Sequence, residues 1–208
     1  SDSEVLIHGY EEYQRGILEK LSGLFSFAIW DDKKKSFFAA RDFFGIKPFY
    51  YTVVDDTLVF ASEIKSILEY PGYRKEMNEE ALEQYLSFQY SVLPETFFKG
   101  IYRLLPGHYL VYENRELRTV QYFKPSLEPW DKAGELRLTE DVEMAICQSV
   151  RRHLVSDVEV GSFLSGGVDS SLITALSGCR QTFTVGFRDE GKLYDEVTCA
   201  QDFAEELE

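Results

Sequence analysis

Residues 158–178 read VEVGSFLSGGVDSSLITALSG, and this stretch decides the fold of the second half of the chain. Val158–Leu164 is predicted to be a strand, Ser170–Ser177 has a helical pattern, and Gly178 is a typical residue to end a helix. Thr182–Phe187 has the composition of a second strand. The order of strand, glycine turn, helix and strand predicts a βαβ unit with a parallel sheet and a right-handed crossover.

The turn in the middle of this unit, SGGVDSS at residues 165–171, has the composition of an anion-binding loop. Free backbone N–H groups and the helix dipole both favour negative charge at a helix N-terminus. Gly166 and Gly167 allow the backbone to curl tightly and let phosphate oxygens approach without a Cβ atom in the way. The hydroxyl donors of the loop are Ser165, Ser170 and Ser171.

Asp169 lies inside the loop, where a bare carboxylate would repel phosphate groups. A role that fits is to hold a Mg²⁺ ion between phosphate oxygens, because Mg²⁺ binds carboxylates together with substrate phosphates. Gly161 and Gly166 have the spacing of a Walker A loop, but Gly167 stands where that motif has lysine. A serine-capped helix after a glycine turn is the plain structural alternative, and the agreement of seven consecutive residues favours phosphate binding over it.

The first half of the chain has a different pattern, which predicts short strands joined by closely spaced tight turns. Its first predicted strand is rich in aromatic residues on both faces, which favours a strand covered on both sides. The predicted strands are Gly23–Asp31, Ser36–Arg41, Phe49–Val54, Thr57–Ala61, His108–Glu113 and Leu117–Phe123.

Helix starts are indicated by polar capping residues. Ser62 is predicted to cap a helix over Glu63–Glu69, and Asn78 is predicted to cap the helix that follows it. Thr139 is predicted to cap a third helix, and the segment from Asp195 onward is also predicted to be helical. The apolar stripe of the third helix is expected to contain Val142, Ala145, Ile146, Val150, His153 and Leu154.

Residues 124–134, with Pro125 and Pro129, have the most linker-like composition. We therefore expect two domains, an α+β domain over residues 1–129 and an α/β domain over residues 130–208.

The composition argues against several classes of protein and of binding partner. The 208 residues include 22 Lys and Arg against 36 Asp and Glu, a net charge of −14, which argues against a nucleic-acid partner. Hydrophobic residues make up 44% of the chain, which excludes general disorder, and no run is long enough to span a membrane. Three cysteines without metal-ligand or disulfide spacing are typical of a reducing compartment, so a cytoplasmic protein is expected.

Beyond these patterns, SGGVDSS resembles the pyrophosphate-binding loop of the ATP pyrophosphatases. Four longer segments resemble the glutamine-hydrolysing asparagine synthetases in sequence and in order, and together they extend over much of the chain. They are RDFFGIKPFYY (41–51), FASEIKSI (60–67), RLLPGHYLVY (103–112) and VSDVEVGSFL (155–164).

The resemblance implies part of an N-terminal-nucleophile glutaminase αββα sandwich, followed by the start of a Rossmann-like parallel-sheet ATP-pyrophosphatase domain. In Ser1-Asp2-Ser3-Glu4 it matches Asp2 to a residue that binds the α-amino group of glutamine; an exposed helix cap is the alternative. Leu164 and Val185 match positions that line the adenine site, although both are also ordinary strand residues. The loop residues implied to bind ATP or pyrophosphate are Ser165, Gly166, Gly167, Asp169, Ser170 and Ser171.

The implied reaction uses glutamine, aspartate, ATP and Mg²⁺, and a homodimer is one assembly that the resemblance allows. Glutamine hydrolysis supplies ammonia, which displaces AMP from a β-aspartyl-AMP ester. The family's nucleophilic cysteine, its Asn-Gly-Glu segment and its SGEGSDE-like segment have no counterpart in these residues. We therefore expect an internal piece of a longer polypeptide that catalyses neither half-reaction by itself.

Two other functions stay open on the sequence. One is a related amidotransferase or ring-closing synthetase that adenylates a different carboxylate. The other is a non-catalytic nucleotide-binding protein, against which the intact loop argues. Arg41, Asp42 and Lys47 could form a charged site, but the resemblance implies that they support the turn between two strands.

Overall fold

A computed structural model describes residues 1–91, 93–126, 135–186 and 196–207, without the side chains of residues 135 and 136. The chain divides into two units, Ser1–Leu127 and Glu128–Glu208. None of the described helices is both long and apolar enough to span a bilayer. Parts of three predicted segments, residues 127–134 of the linker, Phe187 and Asp195, lie outside the described residues.

The described part of the first unit contains three α-helices, one 3₁₀ helix and seven strands in two antiparallel sheets. The helices are α1 (Asp2–Tyr13), the 3₁₀ helix (Gln14–Glu19), α2 (Ile64–Leu68) and α3 (Glu79–Phe88). The strands are β1 (Ser26–Asp31), β2 (Ser36–Arg41), β3 (Tyr50–Val54), β4 (Thr57–Ala61), β5 (Tyr102–Arg103), β6 (His108–Glu113) and β7 (Glu116–Gln121). One sheet has the order β1-β2-β6-β7 and the other has the order β4-β3-β5.

Strand β2 separates two hydrophobic cores, because all six of its residues are buried and its side chains alternate between faces. On one face, Phe37 and Ala39 pack with Phe49 and Tyr51 of the second sheet. On the other face, Phe38 and Ala40 pack with residues of α1 and the 3₁₀ helix; the buried ones are Tyr10, Ile17 and Leu18. The unit is therefore layered as helix, sheet and sheet.

The sequence correctly predicts the bounds of β2, β4 and β6, but one expectation about β1 is wrong. Phe27 and Ile29 pack towards α1, whereas Trp30 on the opposite face is 55% exposed. The cause is the position of β1 at the edge of its sheet, where the second sheet does not cover it.

The helix caps give one correct and one wrong prediction in this unit. The Asn78 side chain accepts a hydrogen bond from the N–H of Ala81, as predicted for a cap of α3. Ser62 does not cap α2, because the residue at the cap position is Glu63 and it forms no side-chain cap hydrogen bond.

The turn after β2 is organised by two buried charged residues, Arg41 and Asp42. The Asp42 carboxylate accepts the N–H groups of Phe44 (3.2 Å), Ile46 (2.9 Å) and Lys47 (3.0 Å). The Arg41 guanidinium donates to the carbonyl groups of Gly45, Lys47 and Leu104. Both side chains therefore satisfy backbone groups of the turn, which is the supporting role expected from the sequence.

The same turn is fixed to the neighbouring strands. The Asp42 carbonyl accepts the N–H of Gly107 at 2.9 Å, and the Tyr122 hydroxyl donates to the Arg41 carbonyl at 2.7 Å. Burial raises the pKa of Tyr122 to about 12, so this hydroxyl keeps its proton at neutral pH. Burial, and then the nearby charge of Arg103, lower the pKa of Arg41 from its usual high value.

The described part of the second unit contains α4 (Glu135–His153), β8 (Ser162–Phe163), α5 (Val168–Ser177), β9 (Thr182–Phe183) and α6 (Val197–Glu206). Strands β8 and β9 are parallel, with Ser162 opposite Thr182 and Phe163 opposite Phe183. Because α5 lies between them in sequence, the predicted βαβ order is observed. A larger Rossmann-like sheet and the hand of the crossover stay predictions.

Three details of this unit differ from the sequence prediction. Strand β8 is shorter than Val158–Leu164 because only two of its residues pair with β9, and Val158 is 76% exposed. Thr139 is not a cap, since α4 already begins at Glu135. The apolar stripe of α4 is buried towards its C-terminal end, at Val150, whereas Val142 and Ala145 are exposed.

Helix α6 packs directly behind the glycine loop that joins β8 to α5. Gly166 has φ +75°, and a Cβ atom added there would lie 2.7 Å from Cβ of Cys199 and 3.2 Å from N of Ala200. Glycine is therefore needed at residue 166 both for its backbone conformation and for the close approach of α6.

We expect Asp42→Ala to destabilise the first unit by about 3 kcal/mol, because three backbone N–H groups of the turn lose the buried Asp42 carboxylate as their acceptor. Urea unfolding of the full-length protein measures this change. The control is Glu12→Ala, which removes an exposed carboxylate of α1 and should leave stability unchanged. Equal stability of the two variants would contradict the role assigned to Asp42.

We expect Gly166→Ala to loosen the packing of α6, whereas Gly178→Ala should not. Both residues have positive φ, so both substitutions cost about 1 kcal/mol in backbone conformation. Only Gly166 faces a neighbouring helix, since nothing lies within 4 Å of a Cβ atom at Gly178. Hydrogen exchange of the α6 amides should be faster in Gly166→Ala alone, and equal rates in the two variants would contradict this packing.

Candidate functional site

The loop SGGVDSS begins where strand β8 ends. The N–H of Leu164 donates to the carbonyl of Phe183 at 3.0 Å, so the last pairing with β9 comes directly before Ser165. Gly166 then turns the chain, and Gly167 is the N-cap residue of α5 in an extended conformation. The sequence-predicted strand, loop and helix are therefore brought together in the expected order.

The loop presents unpaired hydrogen-bond donors at the N-terminus of α5. Glycine offers no side chain, and no side-chain cap hydrogen bond is formed at Gly167. Among the residues that the structure describes, the N–H groups of residues 166–170 have no protein acceptor. These five donors, with the positive end of a helix dipole, form an arrangement that suits an anion with several oxygen atoms.

The three serines and the aspartate of the loop differ in their contacts. Oγ of Ser165 lies 2.9 Å from Oγ of Ser170, and the Ser170 hydroxyl also donates to the Gly167 carbonyl at 3.0 Å. Asp169 is exposed in the first turn of α5. Neither its carboxylate nor the Ser171 hydroxyl has a protein partner in the described part of the chain.

The two residues expected at an adenine site have opposite environments. The Leu164 side chain is only 2% exposed and packs in the interior, whereas Val185 is 67% exposed beyond the end of β9. Between them, the hydroxyl of Thr184 donates to the Leu164 carbonyl at 2.7 Å. The sequence analysis did not predict this contact of Thr184. The available signal was a polar β-branched residue next to Val185.

A resident metal centre is not indicated by the described residues. They contain no group of three or more His, Cys, Asp or Glu side chains that could hold a metal ion. Asp169 alone supplies one exposed carboxylate beside the open N–H groups. This set suits a Mg²⁺ ion that arrives with nucleotide phosphates, since such ions keep several water ligands and need few protein oxygens.

A second candidate site is a cleft of about 650 Å³ in the first unit. Asp2 from α1 and Lys47 from the turn after β2 both line this cleft, so side chains of opposite charge lie around the same space. The hydroxyl-bearing residues Ser26 and Ser62 also belong to the wall. Its apolar lining consists of Val5, Leu6, Leu21, Leu24, Phe25, Phe27 and Pro48.

The position of Asp2 is set by the capping of α1. Ser1 is the N-cap residue and forms a capping box with Glu4, so the alternative in which Asp2 is the cap is wrong. The Asp2 carboxylate accepts the N–H of Ser3 at 3.0 Å and is otherwise exposed to the cleft. A carboxylate in this position can bind an ammonium group.

Family models match both halves of the chain. The family model of the glutamine amidotransferase domain matches residues 1–123, and the asparagine synthase model matches residues 141–208. Asparagine synthetase [glutamine-hydrolyzing] 1 of Bacillus subtilis is 39% identical over 212 residues, covering 100% of this chain and 33% of its own. Asparagine synthetase [glutamine-hydrolyzing] 3 of the same organism is 38% identical over 193 residues, covering 92% and 30%.

A relative with a different name is equally similar: amidase chry2 of Gibberella zeae is 39% identical over 181 residues, covering 85% of this chain and 26% of its own. The solved structure of the allosteric regulatory enzyme of purine biosynthesis covers 93% of this chain and 40% of its own, with 14% identity and a TM-score of 0.39. That score is too low to support an argument.

The chain spans about a third of the length of the first curated relatives that it matches. The amidotransferase match alone covers more than half of the chain. The chain therefore belongs to the glutamine amidotransferase domain family and continues into a segment of the asparagine synthase family.

Proposed function

We propose that this chain is part of an ATP-dependent, glutamine-hydrolysing asparagine synthetase. The observation that carries the proposal is the loop at residues 165–171, with its open N–H groups beside the exposed Asp169 carboxylate. These groups suit the phosphates of ATP. The cleft with Asp2 suits a small amino acid, and its size exceeds that of one glutamine molecule.

In the proposed reaction, glutamine is hydrolysed to glutamate and ammonia. An oxygen of the β-carboxylate of aspartate attacks the α-phosphorus of ATP, and the bond to pyrophosphate breaks. Ammonia then attacks the activated carbonyl carbon, and AMP leaves with the electron pair of the broken C–O bond. Esterification is needed because a free carboxylate is a poor electrophile.

The residues of this chain contribute binding and orientation to these steps. The N–H groups of Gly166 and Gly167 hold phosphate oxygens, and their fixed dipoles stabilise charge that develops on the leaving pyrophosphate. A Mg²⁺ ion bound by Asp169 would supply further positive charge. Asp2 holds the ammonium group of glutamine. All three cysteines lie in the second unit, and the residues that line the cleft include no cysteine.

The finer architecture belongs to the same proposal. The helix, sheet and sheet layers of the first unit support an N-terminal-nucleophile αββα sandwich over residues 1–129. The parallel pair of β8 and β9 supports the start of a Rossmann-like ATP-pyrophosphatase domain over residues 130–208. A cytoplasmic location and a homodimer are further parts of the proposal.

Variants of the full-length protein separate the two proposed sites. With glutamine, aspartate and Mg-ATP, Asp2→Ala should lower glutamate release by about tenfold or more, because a charge-assisted contact is lost. Asp169→Ala should lower the release of AMP and pyrophosphate by a similar factor while glutamate release continues. Product analysis by chromatography measures both.

Matched controls are Glu12→Ala on α1 and Asp157→Ala in the second unit, which remove exposed carboxylates outside the two sites. Both controls should keep full activity. If Asp169→Ala formed AMP at the rate of the unsubstituted protein, the loop would not be the site of ATP cleavage.

In a second candidate function, the protein also uses ATP to adenylate a carboxylate, but the substrate is a carboxylic acid other than aspartate. The observation that favours it is the relative named an amidase, which is as similar to this chain as the relatives named asparagine synthetases. Release of AMP that requires aspartate and yields asparagine supports the first candidate. Release of AMP with another carboxylic acid, and none with aspartate, supports the second.

A further inference from the structure

The hydroxyl groups of Ser165 and Ser170 form a closed set of hydrogen bonds inside the loop. Oγ of Ser170 accepts the N–H of Ser165 at 3.2 Å and lies 3.0 Å from the Gly167 carbonyl, to which it donates. It also lies 2.9 Å from Oγ of Ser165. One oxygen atom therefore joins the residue before the glycine turn to the residue after it.

The number of protons decides the direction of these bonds. A serine hydroxyl has one proton and two acceptor positions. If Ser170 donates to Gly167, the proton between the two serines must come from Ser165. Ser170 then uses its proton and both acceptor positions, and Ser165 uses its only hydroxyl proton. In the arrangement that satisfies all three contacts, neither hydroxyl has a proton left for an outside anion.

We propose that Ser165 and Ser170 are positioning residues that brace the loop, and that phosphate oxygens are bound by the backbone N–H groups and the Ser171 hydroxyl. The part about phosphate rests on the proposed function, whereas the brace is a property of the protein without ligand. Ser171 is available because its hydroxyl has no protein partner in the described part of the chain.

A brace is needed here because the loop leaves its own N–H groups open. Gly166 and Gly167 have the greatest backbone freedom of any residue type, and each is costly to order. The Ser170 hydroxyl spans this pair from Ser165 to Gly167, while α6 packs against Gly166 from behind. Both contacts hold the donors in place before an anion arrives, which lowers the cost of binding.

The brace predicts a particular pattern of binding losses in the full-length protein. Ser170→Ala removes all three contacts and should weaken binding of Mg-ATP and of inorganic pyrophosphate about tenfold. Ser165→Ala removes only one contact and should weaken binding about threefold. In the double variant, Ser165→Ala should add nothing to the effect of Ser170→Ala, because its partner is already gone.

Ser171→Ala is the matched comparison, since it removes a hydroxyl that takes no part in the brace. Its loss in affinity should multiply with that of Ser170→Ala. Isothermal titration calorimetry of the unsubstituted protein, the three single variants and the two double variants measures these losses. If the losses of Ser165→Ala and Ser170→Ala multiplied in the double variant, the two hydroxyls would be independent phosphate ligands and the proposal would be overturned.

Hydrogen exchange without any ligand tests the brace separately. The Ser165 amide proton should exchange faster in Ser170→Ala than in the unsubstituted protein, and it should be unaffected in Ser171→Ala. An unchanged Ser165 amide in Ser170→Ala would overturn the proposal. If the unsubstituted protein bound neither probe, the proposed function would fail, and the exchange result alone would decide whether the brace exists.

Discussion

The carboxylate of Asp42 is the contact on which the first unit depends. It accepts three backbone N–H groups of one turn, and the adjacent Arg41 donates to three carbonyl groups of the same region. That turn leads from β2, which is buried on both faces, into the second sheet. The same turn places Lys47 in the wall of the cleft, which residues of α1 also line. The position of Lys47 at the cleft wall therefore follows from this hydrogen-bond network around Arg41 and Asp42.

The second unit contains a turn of similar length in which the backbone groups are left unpaired. In the described part of the chain, the N–H groups of residues 166–170 have no protein acceptor, and they lie at the end of a helix where negative charge is favoured. Unsatisfied polar groups are costly when they are buried, and they are tolerated here because the loop is open to solvent. The turn after β2 has its hydrogen-bonding groups paired within the protein and supports the structure. The loop at residues 165–171 has open N–H groups that can bind an anion.

The sequence predicts the parts of this chain in which local chemistry decides the outcome. Strands β2, β4 and β6, the Asn78 cap and the order of strand, loop and helix around Gly166 all follow from residue patterns. Ser62 and Thr139 are not caps, because α2 begins after Glu63 and α4 already begins at Glu135. The length of β8 depends on pairing with β9, and the exposure of Trp30 depends on which strand lies at the edge. Such tertiary effects leave no signal within a single segment.

A crystal structure of the full-length protein with Mg²⁺ and a non-hydrolysable ATP analogue tests most directly whether the loop binds phosphate. We expect phosphate oxygens within hydrogen-bond distance of the N–H groups of Gly166 and Gly167, with the contact between Ser165 and Ser170 intact. Phosphates bound elsewhere in the molecule, with the loop at residues 165–171 empty, would contradict this expectation.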